Sequence, residues 1–144
     1  MTTEQEIWDT LHRHLSSIFN RDLAGYEATT SADLSLYEWY VTPHRLDGLE
    51  FHQFMNQHHG GDGQPDEDSH PHRVGFRYDL LEPRLQVYGE HTAIVSYTFM
   101  LTKVQAGQVS HSTHNESRVL IKMAAGWQVV HVHKSPTWAA PKNP

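Results

Sequence analysis

The 144-residue chain contains no cysteine, so disulfide bonds, cysteine-based zinc sites and thiol catalysis are excluded. It also has no apolar run long enough to span a bilayer. Its first residues, MTTEQEIWD, are acidic where a signal peptide would be basic. We therefore expect a soluble, cytoplasmic protein that does not bind membranes.

Basic residues are scarce, with 11 Lys and Arg against 17 Asp and Glu, and the formal net charge is −6. They form no basic stripe, so a nucleic-acid partner is not expected. The sequence has no Gly-rich phosphate loop, no catalytic-loop Asp with its downstream Asn, and no Asp-Phe-Gly, so kinase activity is not predicted. It also has no basic amphipathic helix of the kind that binds calmodulin.

Histidine is abundant, with 13 residues in the chain. Clusters occur at His58-His59, at His70-Pro71-His72 and at His131-x-His133. Two imidazoles on one strand face are a feature of some metal sites. No suitably spaced Glu and later His follow the last pair, so a packing role is favoured, and we predict no metal and no other cofactor.

Hydrophobic periodicity predicts helices first and strands afterwards. Thr3 and Glu6 fit a capping box at the start of the first helix. The predicted helices cover 4–20, 22–28 and 47–59, and the predicted strands cover 34–40, 73–81, 84–88, 93–104, 109–123 and 127–134. This order indicates an α+β domain in which a curved antiparallel sheet wraps around the N-terminal helix. We place a single domain at 1–136, with a polar loop at 60–72 and an irregular tail at 137–144.

The last two strands place charged residues on an otherwise apolar sheet face. A turn that pairs Met123 with Trp127 puts Glu116 opposite Lys134, and Arg118 shares their face because side chains alternate along a strand. Charges on an apolar face are costly to bury, so they are expected to be paired or to bind something.

The preceding strand adds aromatic residues to this face, since a turn at 105–108 puts Tyr97 opposite Glu116. The predicted inner face comprises Tyr97, Phe99, Leu101, His114, Glu116, Arg118, Val130, Val132 and Lys134. The predicted outer face comprises Ser96, Thr98, Met100, Thr113, Asn115, Ser117, Val119, Ile121, Trp127, Val129, His131 and His133. The outer face carries almost no charge, which suits a subunit interface.

Four segments match a known family in the right order along nearly the whole chain. They are Tyr37-Glu38, DGLEFHQFM at 47–55, Glu116-x-Arg118-Val119, and GWQVVHVHKS at 126–135. The chain thereby resembles the association (hub) domain of calcium/calmodulin-dependent protein kinase II, a branch of the nuclear transport factor 2-like superfamily. The resemblance implies a cone-shaped fold with an internal pocket, and a dimer formed through the outer sheet face.

The candidate ligand-binding residues are Tyr97, Glu116, Arg118 and Lys134, with Glu38 and His52 at the pocket rim. One interpretation is that Arg118 binds a small carboxylate or polar ligand, because guanidinium groups pair with carboxylates in a bidentate manner. The other is a structural ion pair between Arg118 and Glu116. Hub relatives often place further arginines in this cavity, whereas Phe99 and Lys134 stand there in this chain, so a less cationic cavity is expected.

The leading interpretation is a stand-alone binding or assembly module that self-associates as a homodimer or larger ring. The alternative is an isomerase, cyclase or hydratase, because superfamily relatives such as ketosteroid isomerase and SnoaL-type cyclases use the same cavity for acid–base catalysis. Arg118 beside Glu116 is expected to lower the pKa of that acid, which leaves Glu38 or His52 as the base of such an enzyme. We assign no catalytic residue from the sequence.

Overall fold

The computed structural model describes residues 1–58 and 75–138, and only the backbone for 54–58. Its helices are α1 (Thr3–Asn20), α2 (Leu23–Thr29) and α3 (Leu49–His58). Its strands are β1 (Thr30–Glu38), β2 (Leu46–Asp47), β3 (Gly75–Tyr88), β4 (Thr92–Gln105), β5 (Gln108–Met123) and β6 (Gly126–Pro136). The predicted α+β class is confirmed. The loop predicted at 60–72 and the end of the tail lie outside the described residues.

The first helix begins one residue earlier than predicted. The Thr2 side chain accepts a hydrogen bond from the Gln5 backbone N–H, and the Gln5 side chain accepts one from the Thr2 N–H. Glutamine completes a capping box as well as glutamate does, so the box is Thr2–Gln5 and not Thr3–Glu6. The helix then buries an apolar stripe at Ile7, Leu11 and Leu15.

The six strands form one sheet in the order β2-β1-β6-β5-β4-β3. All neighbours are antiparallel except β1 and β6, which run parallel. The segments predicted as two strands at 73–81 and 84–88 form the single strand β3, whose register shifts between Leu81 and Arg84. Strand β2 was not predicted. The parallel pairing matters for the site because it puts Glu38 opposite Lys134.

The predicted register holds over most of the hairpin strands. Tyr97 lies opposite Glu116, and Glu116 lies opposite Lys134. The register then shifts, since Val119 pairs with His131 and Leu120 pairs with Val129. The intervening Val130 is the extra residue of a β-bulge, and neither of the strands beside β6 supplies a paired residue for it.

The bulge changes which side chains point inward near the final turn. Trp127 pairs with Lys122 rather than with Met123, and both Trp127 and Val129 lie in the hydrophobic core. Their exposures are 4% and 0%. The prediction that they lie on the outer face is therefore wrong, as is the inward placement of Val130. One inserted residue exchanges the two faces of a strand beyond it.

The core lies between the concave sheet face and the helices. It joins the apolar stripe of α1 to the inward side chains of the central strands, among them Val95, Leu120 and Val132. Within the described residues, no helix is both long enough and apolar enough to cross a membrane.

Candidate functional site: two linked carboxylates in the concave face

The Glu116 carboxylate is the centre of the first buried cluster. The Tyr97 hydroxyl donates to Glu116 Oε1 at 2.7 Å, and Arg118 Nη1 donates to the same oxygen and, at 2.6 Å, to the Tyr97 hydroxyl. His114 Nε2 lies 2.6 Å from Glu116 Oε2. Alternation along β4 and β5 brings these side chains to one face, where Glu116 and Arg118 are 3% and 1% exposed. The cluster contains the ion pair between Arg118 and Glu116, which was one of the two interpretations of the sequence.

The Glu38 carboxylate is the centre of the second cluster. Lys134 Nζ donates to Glu38 Oε2 at 2.8 Å, and the Tyr40 hydroxyl donates to the same oxygen at 2.9 Å. His52 Nε2 lies 2.9 Å from Glu38 Oε1, and His52 Nδ1 lies 3.0 Å from the Tyr26 hydroxyl. A neutral His52 satisfies this geometry when Nε2–H donates to the carboxylate and Nδ1 accepts from the phenol.

Lys134 connects the two clusters. Its Nζ is also 3.9 Å from Glu116 Oε2, so one ammonium group lies between two buried carboxylates. Among the described residues, the two carboxylates therefore lie against the guanidinium of Arg118 and the ammonium of Lys134.

Both carboxyl groups remain ionised in this environment. Burial alone would raise the pKa of Glu116, but the charges of Arg118 and Lys134 outweigh burial and hold its pKa well below the usual range. Burial would likewise raise the pKa of Glu38, and the Lys134 charge with the His52 hydrogen bond lowers it instead. Burial raises the pKa of Tyr97 above its usual value. Neither carboxyl group has the raised pKa that a general acid at neutral pH requires.

Two cavities adjoin this network. The first, of about 250 Å³, is bordered by the end of α1, by α2 and α3, and by Glu38, His52, Arg118 and Lys134. The second, of about 520 Å³, also borders Arg118 and Lys134, and its lining includes Phe19, Trp39, Tyr40, Phe99 and Trp138. The Arg118 Nε–H is a buried donor without a hydrogen-bond partner in the described part of the chain.

All six candidate residues named from the sequence meet in this one network. Glu38 and His52 are each 4% exposed, so they lie inside the domain and not at a rim. Sequence reasoning did not assign Tyr26, Tyr40 or His114 to the site. His114 could have been assigned to the site from the sequence, because alternation along β5 places it on the same face as Glu116.

A model of the family described as the calcium/calmodulin dependent protein kinase II association domain matches residues 3–138. The chain belongs to this family. Among curated proteins, this association domain is 26% identical over 133 residues to calcium/calmodulin-dependent protein kinase type II of Caenorhabditis elegans. The match covers 92% of the chain but 17% of the kinase, so the domain spans less than a fifth of that relative's length.

Solved structures show the same fold. The association domain of C. elegans CaMKII superposes with a TM-score of 0.73 at 24% identity, covering 92% of this chain and 94% of that one. A nuclear transport factor 2-like superfamily protein from Salmonella enterica serovar Typhimurium superposes with a TM-score of 0.67 at 24% identity, covering 95% and 92%. The predicted fold is thus confirmed.

The histidine pairs do not form a metal centre within the described residues, where no three His, Cys, Asp or Glu side chains are grouped to hold an ion. His131 Nδ1 lies 2.7 Å from the Ser35 hydroxyl, and the His133 ring packs against Tyr37 at 5.1 Å. Both imidazoles thus make ordinary packing and hydrogen-bonding contacts on the outer side of the sheet. The pair at 70–72 lies outside the described residues.

Proposed function

We propose that this association domain is a self-assembly module whose outer sheet face pairs with a second copy of the chain. The observation that carries the proposal is the charge pattern of that face. By register, the outward positions of β4, β5 and β6 hold no Asp, Glu, Lys or Arg. Solvated sheet faces normally alternate such residues with apolar ones, so a charge-free centre is typical of a covered surface.

Charged residues do occur on the outer side, but at its two edges. The Arg77–Asp79 pair lies on the edge strand β3, and the Arg45–Asp47 pair lies at the opposite edge beside β2. An interface centre depleted of charged residues, with charged groups confined to the rim, is the usual layout of a protein interface. Identical faces most often pair about a twofold axis, and a stable pair is expected to bury roughly 1,500 Å² or more in total.

A matched pair of substitutions on β5 tests this surface. Val119→Glu places a charge at the centre of the outer face, and it is expected to raise the dimer dissociation constant by about a hundredfold or more, since burying an unpaired charge is costly. Val109→Glu makes the same change at the exposed far end of the strand and is expected to leave dimerisation unchanged. Sedimentation velocity over a concentration series measures both. Equal dissociation constants for the two variants would contradict the proposed face.

The first cavity is proposed to hold a small polar ligand at Arg118, His52 and Lys134. Its support is the position of these side chains around a space of about 250 Å³. Because Arg118 and Lys134 are each paired with a buried carboxylate, a neutral polar molecule is favoured over a carboxylate. Calorimetric titration with acetamide and with acetate compares the two chemistries directly. Tighter binding of acetate would reverse this preference, and no heat from either compound at tens of millimolar would remove the ligand from the proposal.

The enzymatic alternative has less support in the geometry. Both buried carboxyl groups are ion-paired and have lowered pKa values, whereas an acid–base catalyst in such a cavity needs a pKa near the working pH. The proposal is therefore an assembly and ligand-binding module without kinase activity of its own. A cytoplasmic location fits the absence of cysteine, since reducing compartments do not rely on disulfide bonds.

A further inference from the structure

Strand β3 forms one end of the described sheet, and it is 14 residues long. Among the described residues it pairs only with β4, so the backbone N–H and C=O groups along its other side meet no neighbouring strand there. An unpaired edge of this length is a template on which another extended chain can add through backbone hydrogen bonds. The strand at the opposite end of the sheet, β2, offers a much shorter edge, because it spans only Leu46–Asp47.

A β-bulge interrupts the long edge of β3. The register of β3 against β4 shifts between Leu81 and Arg84. Between these two residues, Glu82 and Pro83 together lie opposite one residue of β4, Tyr97. An extra residue on one strand of a pair bends that strand and increases its twist. The bulge therefore divides the edge into two shorter segments that do not form one continuous row of hydrogen-bonding groups.

The backbone of Glu82 adopts a conformation that the neighbouring sequence disfavours. Its φ is 50°, which lies in the left-handed region where residues other than glycine are uncommon. The proline that follows favours an extended backbone at the residue before it. Glu82 would therefore fit better in a regular strand, and the bulge is present although the local sequence does not favour it. A strained backbone of this kind points to a function.

Pro83 adds a second obstacle to the addition of a strand. Proline has no backbone N–H, so it cannot donate a hydrogen bond to an incoming chain. Residues 81–84 are all exposed, so the interruption lies where such a chain would approach. Bulges, prolines and charged side chains are the features by which natural sheets avoid edge-to-edge association. Strand β3 has all three, since the Arg77–Asp79 ion pair also lies on it.

We propose that the Glu82–Pro83 bulge is an edge guard, which keeps β3 of one copy of the chain from pairing with β3 of a second copy. Without the guard, this edge would be a second self-complementary surface, and copies joined through both the edge and the outer sheet face could add without limit. The guard thus confines self-association to the outer face. This consequence rests on the proposed function, whereas the guard itself acts whether or not the outer face pairs.

The test removes the extra residue of the bulge. Deletion of Glu82 combined with Pro83→Val leaves one residue opposite Tyr97, and the strand on each side of the bulge can keep its register with β4. This variant is expected to form species heavier than the wild type, with an association constant at least about a hundredfold higher. Multi-angle light scattering over a concentration series measures the mass. Hydrogen exchange shows whether the β3 amide groups are protected in the heavier species.

Matched substitutions separate the bulge from the lost charge and from the new valine. Glu82→Gly removes the same charge but favours the left-handed backbone, and Pro83→Val introduces the same valine while the extra residue stays. Both are expected to keep the wild-type mass. Glu82→Thr also removes the charge, but its branched side chain disfavours the left-handed backbone. It is expected to associate at least about tenfold more strongly than Glu82→Gly.

Thermal melts establish which variants are folded. If the deletion variant is folded and keeps the wild-type mass, the edge guard is contradicted. If the deletion variant does not fold, equal association of Glu82→Thr and Glu82→Gly contradicts it instead.

Two further results would overturn the proposal. One is association of Glu82→Gly or Pro83→Val to the same extent as the deletion variant, because the bulge is retained in both. The other is a heavier species whose β3 amide groups exchange as fast as those of the wild type, because the new contact would then lie elsewhere. Every variant is compared with the mass of the wild type itself, so a monomeric wild type would contradict the proposed function without deciding the test of the edge guard.

Discussion

Lys134 Nζ lies 2.8 Å from the Glu38 carboxylate, although 96 positions separate the two residues in the sequence. The contact exists because β1 and β6 pair in parallel with Glu38 directly opposite Lys134. It closes the network that runs from Tyr26 through His52, Glu38 and Lys134 to Glu116. A single cross-strand pair therefore joins the helical side of the cavity to the hairpin strands.

Loss of the Lys134 charge is expected to destabilise the fold. Lys134→Met removes the ammonium that pairs with the buried Glu38 carboxylate, and the free energy of unfolding should fall by about 3 kcal/mol, the usual cost of breaking a buried pair from one side. Adding Glu38→Gln should restore much of the loss. Lys122→Met is the control, because that ammonium is more exposed and lies 3.8 Å from Glu6. Urea unfolding measures the free energy of unfolding of each variant. If Lys134→Met and Lys122→Met lower it by the same amount, the buried network does not contribute to stability as described.

Arg118 is expected to behave in the same way towards Glu116. Arg118→Leu should lower the free energy of unfolding by about 3 kcal/mol, since an uncompensated carboxylate stays buried. In the double variant with Glu116→Gln, the cost should be well below the sum of the single costs. Additive costs would show that the two side chains do not interact. Arg77→Leu, at an exposed ion pair, serves as the control and should leave the free energy of unfolding nearly unchanged.

His14 makes the stability depend on pH near neutrality. The ring is 1% exposed, stacks on Tyr26 at 5.0 Å, and its Nδ1 lies 3.0 Å from the Thr29 hydroxyl. Burial, assisted by the charges of Arg118 and Lys134, lowers the pKa of His14 well below its usual value. The native state therefore holds the neutral ring, and its contribution to stability is complete above the unfolded-state pKa of about 6.5 and is lost as pH falls below it.

The measurement is the free energy of unfolding at pH 7.5 and at pH 5.0. Between pH 6.5 and 5.0 His14 should account for a loss of up to about 2 kcal/mol, at 1.36 kcal/mol per pH unit. His14→Asn should remove that part of the pH dependence, whereas His91→Asn, at an exposed position, should retain it. If the free energy of unfolding of His14→Asn changes with pH as much as that of the wild type, other groups cause the pH dependence.

The fold was largely predictable because its signals are local. Alternation in β4, β5 and β6 gave the face and the cross-strand partners of Glu116, and the pattern in α1 gave its buried stripe. The β-bulge at Val130 left no mark in the alternation, because apolar residues occupy both faces of β6 there. Trp127 and Val129 were consequently assigned to the wrong face.

The site was predictable only in part, for a related reason. The pairing of Glu38 with Lys134 depends on a parallel contact between the first and last strands, and no local pattern reports such a contact. Tyr26 of α2 meets His52 of α3 through a side-chain contact, which sequence periodicity does not specify. The resemblance to the hub family brought Glu38 and His52 into the candidate set, whereas the alternation of β4 to β6 supplied the other four residues.

Self-association is expected to weaken in acid. His131 lies on the outer face, where its ring contacts Tyr37 and its Nδ1 lies near the Ser35 hydroxyl. Partial burial, with the neighbouring His133 and Arg45 charges, lowers the pKa of His131. Protonation puts a charge on the proposed interface, so the dimer should be tightest above about pH 6.5 and looser at pH 5.5. Sedimentation velocity at both pH values measures the dimer dissociation constant, and His131→Asn should reduce its change with pH. If the dissociation constant of that variant changes with pH as much as that of the wild type, His131 is not the group responsible.

The central claim is that the charge-free outer face of β4, β5 and β6 binds a second copy of the chain. The most direct measurement is the molar mass of the wild-type protein by multi-angle light scattering, at neutral pH and micromolar concentration. A pair formed through this face would have at least twice the monomer mass of 16.6 kDa, and that is the expected result. A single species at the monomer mass under these conditions would contradict both the proposed interface and the assembly function.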